Sequence, residues 1–218
     1  MSQHFSERTK TSESGYRRGD SVCGKPRVER VKTNKNVHNF VLVLSGLSEP
    51  DEELEDALFE AGCDDGTLAF RNRTGYIEFG RQAASLEEAI LSAIRDVERS
   101  DSRIAVVSVE PGDSVNAAEI ARRAQVSREY VRLLVEGERG EGDFPAPQSG
   151  ITGKTLVWSW VEVAHWLLQH KLLEDHSVLD TAEVIYDMNQ ALDLRQHPQT
   201  MDRRLKYVRE LQKSNAAN

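Results

Sequence analysis

Apolar positions along this chain keep a two-residue rhythm at first and a helical one afterwards. Asn39-Phe40-Val41-Leu42-Val43-Leu44 is a β-rich run closed by Ser45-Gly46, the pattern of a buried strand. Ser48 precedes Pro50 and a turn of acids, after which Leu54, Ala57, Leu58 and Ala61 share one helical face until Gly62. Asp64-Asp65-Gly66 predicts a turn into a strand Thr67-Leu68-Ala69-Phe70, and Asn72-Arg73-Thr74-Gly75 predicts a hairpin loop into Tyr76-Ile77-Glu78-Phe79. Ser85 and Glu88 have capping-box spacing and open a second helix that turns Leu86, Ile90, Ile94 and Val97 inward. Ile104 to Val109 reads as a last strand before Pro111-Gly112.

The order β-α-β-β-α-β over residues 38–112 predicts two helices on one face of a four-stranded antiparallel sheet, the ferredoxin-like arrangement. That arrangement hosts many functions and selects none. From Ser114 the rhythm becomes helical. Ala117 to Ala124 and Arg128 to Glu136 are two helical segments around Gln125-Val126-Ser127, and Trp158 to Leu173 is a third. Val178, Ala182, Ile185, Met188 and Leu192 align on a helix over 178–194, and Met201, Leu205, Val208 and Leu211 on another at coiled-coil-like spacing. Such stripes must be buried, either against a second copy of the chain or by folding back on their own.

Composition narrows the class. Of 218 residues, 39% are hydrophobic, enough for a core, and no apolar run reaches the ~20 residues of a spanning helix. Two cysteines, Cys23 and Cys63, make no disulfide framework and have no metal-ligand spacing. With no apolar stretch of secretory type at the start, the expectation is a cytoplasmic protein. The net charge of −8 hides a gradient: residues 1–37 carry 9 basic and 4 acidic side chains, residues 38–112 carry 6 and 16, and residues 113–177 carry 7 and 10. The first segment has no core-forming pattern and reads as a disordered basic tail, or as an arm for phosphates. The acidic 38–112 domain suits a protein partner, dimerisation or ligand sensing.

Function is concentrated in residues 113–177. Ile120, Ala121, Ala124, Val126, Val131 and Leu134 let two helices cross closely, and Ser127 is placed to cap the second. Polar residues at 128, 129, 130 and 132 then project from its first turn. A Gly/Pro-bearing segment, Glu138 to Pro147, leads to Trp158-Ser159-Trp160-Val161-Glu162-Val163-Ala164-His165-Trp166-Leu167. Over about residues 114–170 this succession resembles the MerR/excisionase group of winged helix-turn-helix proteins. The resemblance implies binding to double-stranded DNA, with helix 128–136 in the major groove, a wing on the flanking backbone, and a homodimer reading two half-sites. On that reading Arg128 and Arg132 face base edges, Tyr130 contacts a base or a phosphate with Ser127 beside it, and Arg122, Arg123, Arg139 and Lys154 are phosphate candidates. The turn position that such proteins usually give to glycine is Gln125 here, where positive φ costs about 1 kcal/mol. Glu129 either accepts from a cytosine amino group or pairs with Arg132 or Arg123.

Other chemistries fall short. Gly150-Ile151-Thr152-Gly153-Lys154-Thr155 ends like a phosphate-binding loop, but Gln148 stands where that motif needs glycine and no strand precedes it. His165 and His170 are five apart, off the i,i+4 spacing of paired helix ligands, and the acids at 51–56 suit a helix N-terminus. No catalytic constellation, cofactor motif or metal set emerges. The expectation is therefore an α+β chain: a basic tail 1–37, a ferredoxin-like domain 38–112, a winged helix-turn-helix 113–177 and a helical extension 178–218. Its expected role is sequence-specific transcriptional regulation in a bacterium or a bacterial mobile element. The alternative is a protein-interaction module, antitoxin-like or an assembly factor.

Overall fold

The first strand, β1, runs over Asn36–Ser45 and turns alternate residues Phe40, Leu42 and Leu44 into the core, as the two-residue rhythm requires. The computed structural model describes residues 36–49, 52–140 and 142–215. Pro50, Asp51, Cys23 and all of the basic segment except Asn36 and Val37 lie outside them. Those two residues already belong to β1, so the fold begins slightly earlier than the sequence pattern indicates.

Helix α1, Glu52–Glu60, buries Leu54 and Leu58, and Gly62 ends its turn at φ +93. Strands β2 (Gly66–Arg71) and β3 (Thr74–Ala83) form a hairpin whose register pairs Arg71 with Thr74. Its turn is therefore the two residues Asn72 and Arg73, both with positive φ, at +50 and +63. Gly75, expected in the loop, is instead inside β3, where an added Cβ would press on Leu47 at 3.2 Å. Helix α2, Leu86–Ser100, is capped as its spacing predicts: Ser85 Oγ accepts from the Glu88 amide at 3.1 Å, while the Glu88 carboxylate accepts from the Ala84 amide.

Strand β4, Ala105–Glu110, completes a sheet of order β2-β3-β1-β4, antiparallel at every pairing. An irregularity opposite Val43/Leu44 inserts Val107, so that Val106 and Val109, three apart, are both fully buried. Beneath the sheet, Arg81 is nearly buried and satisfied on all sides. It donates to both Asp65 oxygens at 2.9 Å, to Asp96 at 2.8 Å and to the Gly62 carbonyl at 2.8 Å.

The second half is built on β5 (Ser114–Val115), α3 (Ala117–Arg123), α4 (Arg128–Val135), β6 (Trp158–Ser159) and α5 (Trp160–Gln169). Where the sequence predicts a continuous helix from Trp158, the first two residues pair with β5 and the helix starts at Trp160. Asp113 enforces this break, accepting from Ser159 Oγ at 3.0 Å and from the Val161 amide at 2.9 Å. Val115, Ile120, Val131, Leu134, Trp158, Trp160, Val163 and Leu167 form this half's own core.

Helix α6, Ser177–Gln196, ties the halves together. Ala182 packs in the second core and Ile185 and Leu192 in the first. Its polar side chains cover the outer edge of β4. The Asn189 amide accepts from Val109 N–H at 2.7 Å and donates to Val109 C=O at 2.9 Å, Arg195 donates to Val106 C=O and Gln196 to Val107 C=O. A 3-10 turn at Pro198–Thr200 leads to α7, Met201–Asn215, whose Met201, Leu205 and Val208 are exposed. Among the described residues no helix is long and apolar enough to cross a membrane.

Candidate nucleic-acid interface

Helices α3 and α4 are joined by a turn that the sequence dictates residue by residue. Asn116 caps α3 by accepting from the Glu119 amide at 3.0 Å, and Gln125 takes φ +54, the left-handed conformation for which glycine is better suited. Ser127 Oγ then accepts from the Tyr130 amide at 3.0 Å and caps α4. Val131 and Leu134 are buried against Ile120 and Ala121, which leaves Arg128, Glu129, Arg132 and Glu136 on the outer face.

The cations of this surface differ in how free they are. Arg128 is exposed and shares with Arg122, Asn116 and Val126 a surface depression of about 440 Å³. Arg122 is exposed but donates to Glu119 at 2.6 and 3.0 Å. Arg123 shows only 11% of its side chain to solvent, donates to Glu119 and to Gly112 C=O at 2.9 Å, and lies 5.3 Å over the Trp160 ring. It works as a strut between α3, α5 and the segment entering β5. Hydrogen bonds from Arg122 and then Arg123 hold the Glu119 carboxyl down to about 2.

Arg132 is the most enclosed by charge. Its guanidinium donates to Glu129 at 2.8 to 3.2 Å and to Glu136, and Glu138 stands at 3.9 Å. Glu129 therefore pairs with Arg132, one of the two partners its position allowed, and the hydrogen bond from Arg132 holds its carboxyl below the usual range. Arg139 stacks 5.5 Å over the half-buried Tyr130 ring.

Lys154 sits in a β-hairpin rather than a phosphate loop. Gln148 and Ser149 exchange backbone hydrogen bonds with Val157, and Gly150 at φ +85 closes the tip, where a Cβ would meet Thr155 C=O at 2.0 Å. Ile151 and Lys154 are exposed on that tip. The three tryptophans are buried beneath the hairpin and helices. Trp158 Nε1 donates to Pro145 C=O, Trp166 Nε1 donates to Asp143, and Phe144 packs edge-on to both rings.

Comparison with family models, with curated proteins and with solved structures returned no match. The chemistry of this surface must be judged from its own residues. The cap at Asn116 and the closure of Glu136 and Glu138 on Arg132 add to the Glu129 pairing that the sequence offers. Their signals were an Asn immediately before the helix and Glu at i+4 of the arginine. Among the described residues no group of three or more His, Cys, Asp or Glu is placed to hold a metal ion.

Proposed function

We propose that the chain is a sequence-specific DNA-binding regulator, working in the bacterial cytoplasm on the nucleoid. The observation that carries this reading is the α3–turn–α4 unit: a tight left-handed turn at Gln125, a Ser127 cap, and a polar first turn of α4 beside a hairpin tipped by Lys154. Such a unit offers the N-terminal end of one helix to a major groove and the hairpin to the flanking backbone. In this reading the second half is a winged helix-turn-helix of MerR/excisionase type, and the first half is ferredoxin-like. Arg128 reads a base edge, Arg122 contacts phosphate, and Arg139 and Lys154 extend the backbone contact. Arg123 positions α3 and does not itself touch the nucleic acid. A second copy joins through α7, whose exposed stripe gives about 22 Å of helix for the purpose.

Arg132 enters the groove only by leaving its carboxylates. Recognition then exchanges Glu129 and Glu136 for a guanine edge, which raises the demand for the correct base. Selection from random duplexes, followed by titration of the winning site, tests the proposal. Arg132→Ala is expected to weaken the preferred site by about 1–3 kcal/mol and hardly alter binding to random DNA. Equal losses on both would make Arg132 a phosphate contact, and failure to enrich any sequence would overturn the regulator.

One observation favours a second reading, a protein-interaction module. Three carboxylates surround the arginine at the middle of the exposed α4 face, an arrangement that repels a polyanion and suits a partner of mixed charge. A random-duplex selection without a winner is the outcome expected of it.

A further inference from the structure

Among the described residues two large apolar side chains stand out equally from the surface, Phe59 on α1 and Ile151 on the hairpin tip, each 69% exposed. Their surroundings differ. Phe59 lies beside Glu55 and Asp64, on a helix that opens with Glu52, Glu53 and Glu55. Ile151 stands in a stretch, Phe144 to Val161, that holds no acidic residue in a chain of net charge −8, and exposed Lys154 follows three residues on. The tip is also tightly built. The Gly153 amide donates to Gly150 C=O at 2.9 Å, which makes Ile151 a corner residue of a four-residue turn. At the neck of the hairpin Val157 N–H donates to Ser149 C=O at 3.1 Å. At its base Trp158 is buried in the same core as Val131 and Leu134, so the hairpin is fixed against α4.

We propose, resting on the DNA reading above, that Ile151 is a wedge: it enters the minor groove beside the α4 site, parts two stacked base pairs and kinks the duplex. An isoleucine held in water by a tight turn adds to neither core, and it leaves water only when a partner covers it. The minor groove is walled by phosphates, which the acid-free hairpin and Lys154 accept and the carboxylates around Phe59 would repel. Branching at Cβ leaves the Ile151 side chain few rotamers, so it keeps its shape against the bases. Apolar side chains of this kind, pushed between base steps, bend DNA toward the major groove and bring more of it onto the protein. Pyrimidine–purine steps unstack most readily. The wing therefore adds a preference for a TA or CA/TG step where no hydrogen bond reads a base.

The probe is the duplex enriched by the full chain from random sequences, with 2-aminopurine placed at successive flanking positions and the bend read by circular permutation in gel shifts. The full chain is expected to bend this duplex by roughly 20–90° and to brighten 2-aminopurine at one flanking step. Ile151→Ala and Ile151→Ser, at an exposed position, are expected to keep the thermal midpoint and to lose both the bend and the brightening. Ile151→Met, which restores an apolar wedge, is expected to regain them. Replacing the unstacked step by a GC-rich one is expected to weaken the unaltered chain about fivefold or more and Ile151→Ala hardly at all. An enriched duplex that Ile151→Ala bends and brightens as the unaltered chain does would overturn the wedge and leave the regulator standing. Failure to enrich any duplex would overturn both.

Discussion

Helices α6 and α7 follow one another in the chain, carry similar apolar spacing, and meet opposite fates. In α6, Ala182, Ile185 and Leu192 are buried in the two cores of the chain itself, whereas Met201, Leu205 and Val208 of α7 face solvent. The difference lies in their polar residues. Asn189, Arg195 and Gln196 match the unpaired backbone groups of β4, so α6 satisfies a strand edge while it covers a core. In α7, Arg204 reaches back to Asp193. Apolar periodicity therefore tells that a face will be covered, while the side chains flanking it decide by what.

Truncation gives the largest contrast. A chain ending at residue 176 loses side chains from both cores and is expected to show no cooperative unfolding by circular dichroism. One ending at residue 196 is expected to melt like the full chain, while light scattering gives the mass of the proposed dimer for the full chain and of a monomer for the truncated one. A cooperative melt of the shorter chain would make α6 an appendage, and an unchanged mass for the longer one would move the dimer contact away from α7.

Point substitutions sharpen the same contrast. Ile185→Ala in α6 is expected to cost about 2–5 kcal/mol in urea unfolding, the range for an emptied aliphatic core position. Val208→Ala in α7, measured at protein concentrations below dimerisation, is expected to stay within about 0.5 kcal/mol. Similar costs for both would mean that α7 is packed on its own chain.

Asn189→Leu keeps the bulk of α6 and removes its hydrogen bonds. It strands Val109 N–H and C=O beneath a helix and is expected to cost about 1–3 kcal/mol. A neutral outcome would show that α6 is held by apolar packing alone.

The smallest effect belongs to the Asp193–Arg204 link. The hydrogen bond from Arg204 holds the Asp193 carboxyl below its ordinary value of 3.8. Its contribution is thus complete above that ordinary value and is lost as pH falls through the lower, folded one. Asp193→Asn is expected to free α7 at neutral pH, seen as faster amide exchange in α7 alone, with the main unfolding midpoint unmoved. Unchanged exchange would place the restraint on α7 elsewhere.

Much of this architecture was legible in the sequence because it depends on neighbours. Ser85–Glu88 and Ser127–Tyr130 are caps closed within one turn, and the left-handed turn at Gln125 is forced by two helices crossing on Ala121. The antiparallel sheet follows from the order of its strands. What could not be read depends on distant partners. Trp158-Ser159 leaves its helix because Ser114-Val115 offers a strand, and Asn189 meets Val109 across 80 residues of chain. In the candidate site, the Glu129–Arg132–Glu136 spacing lay open to reading, and the two glutamates hold Arg132 as that spacing allows. The burial of Arg123 against Trp160 had no local sign, so its role as a strut emerges only from the fold.

The cover over β4 limits how copies of this protein can add to one another through their sheets. Among the described residues, β2 is the sheet's remaining outer strand. A sheet with two open margins propagates, because each added copy exposes a fresh margin for the next. With one margin sealed by Asn189, Arg195 and Gln196, addition at β2 uses up both participants. Edge pairing ends at two molecules, and α6 serves as a chain terminator against fibre growth.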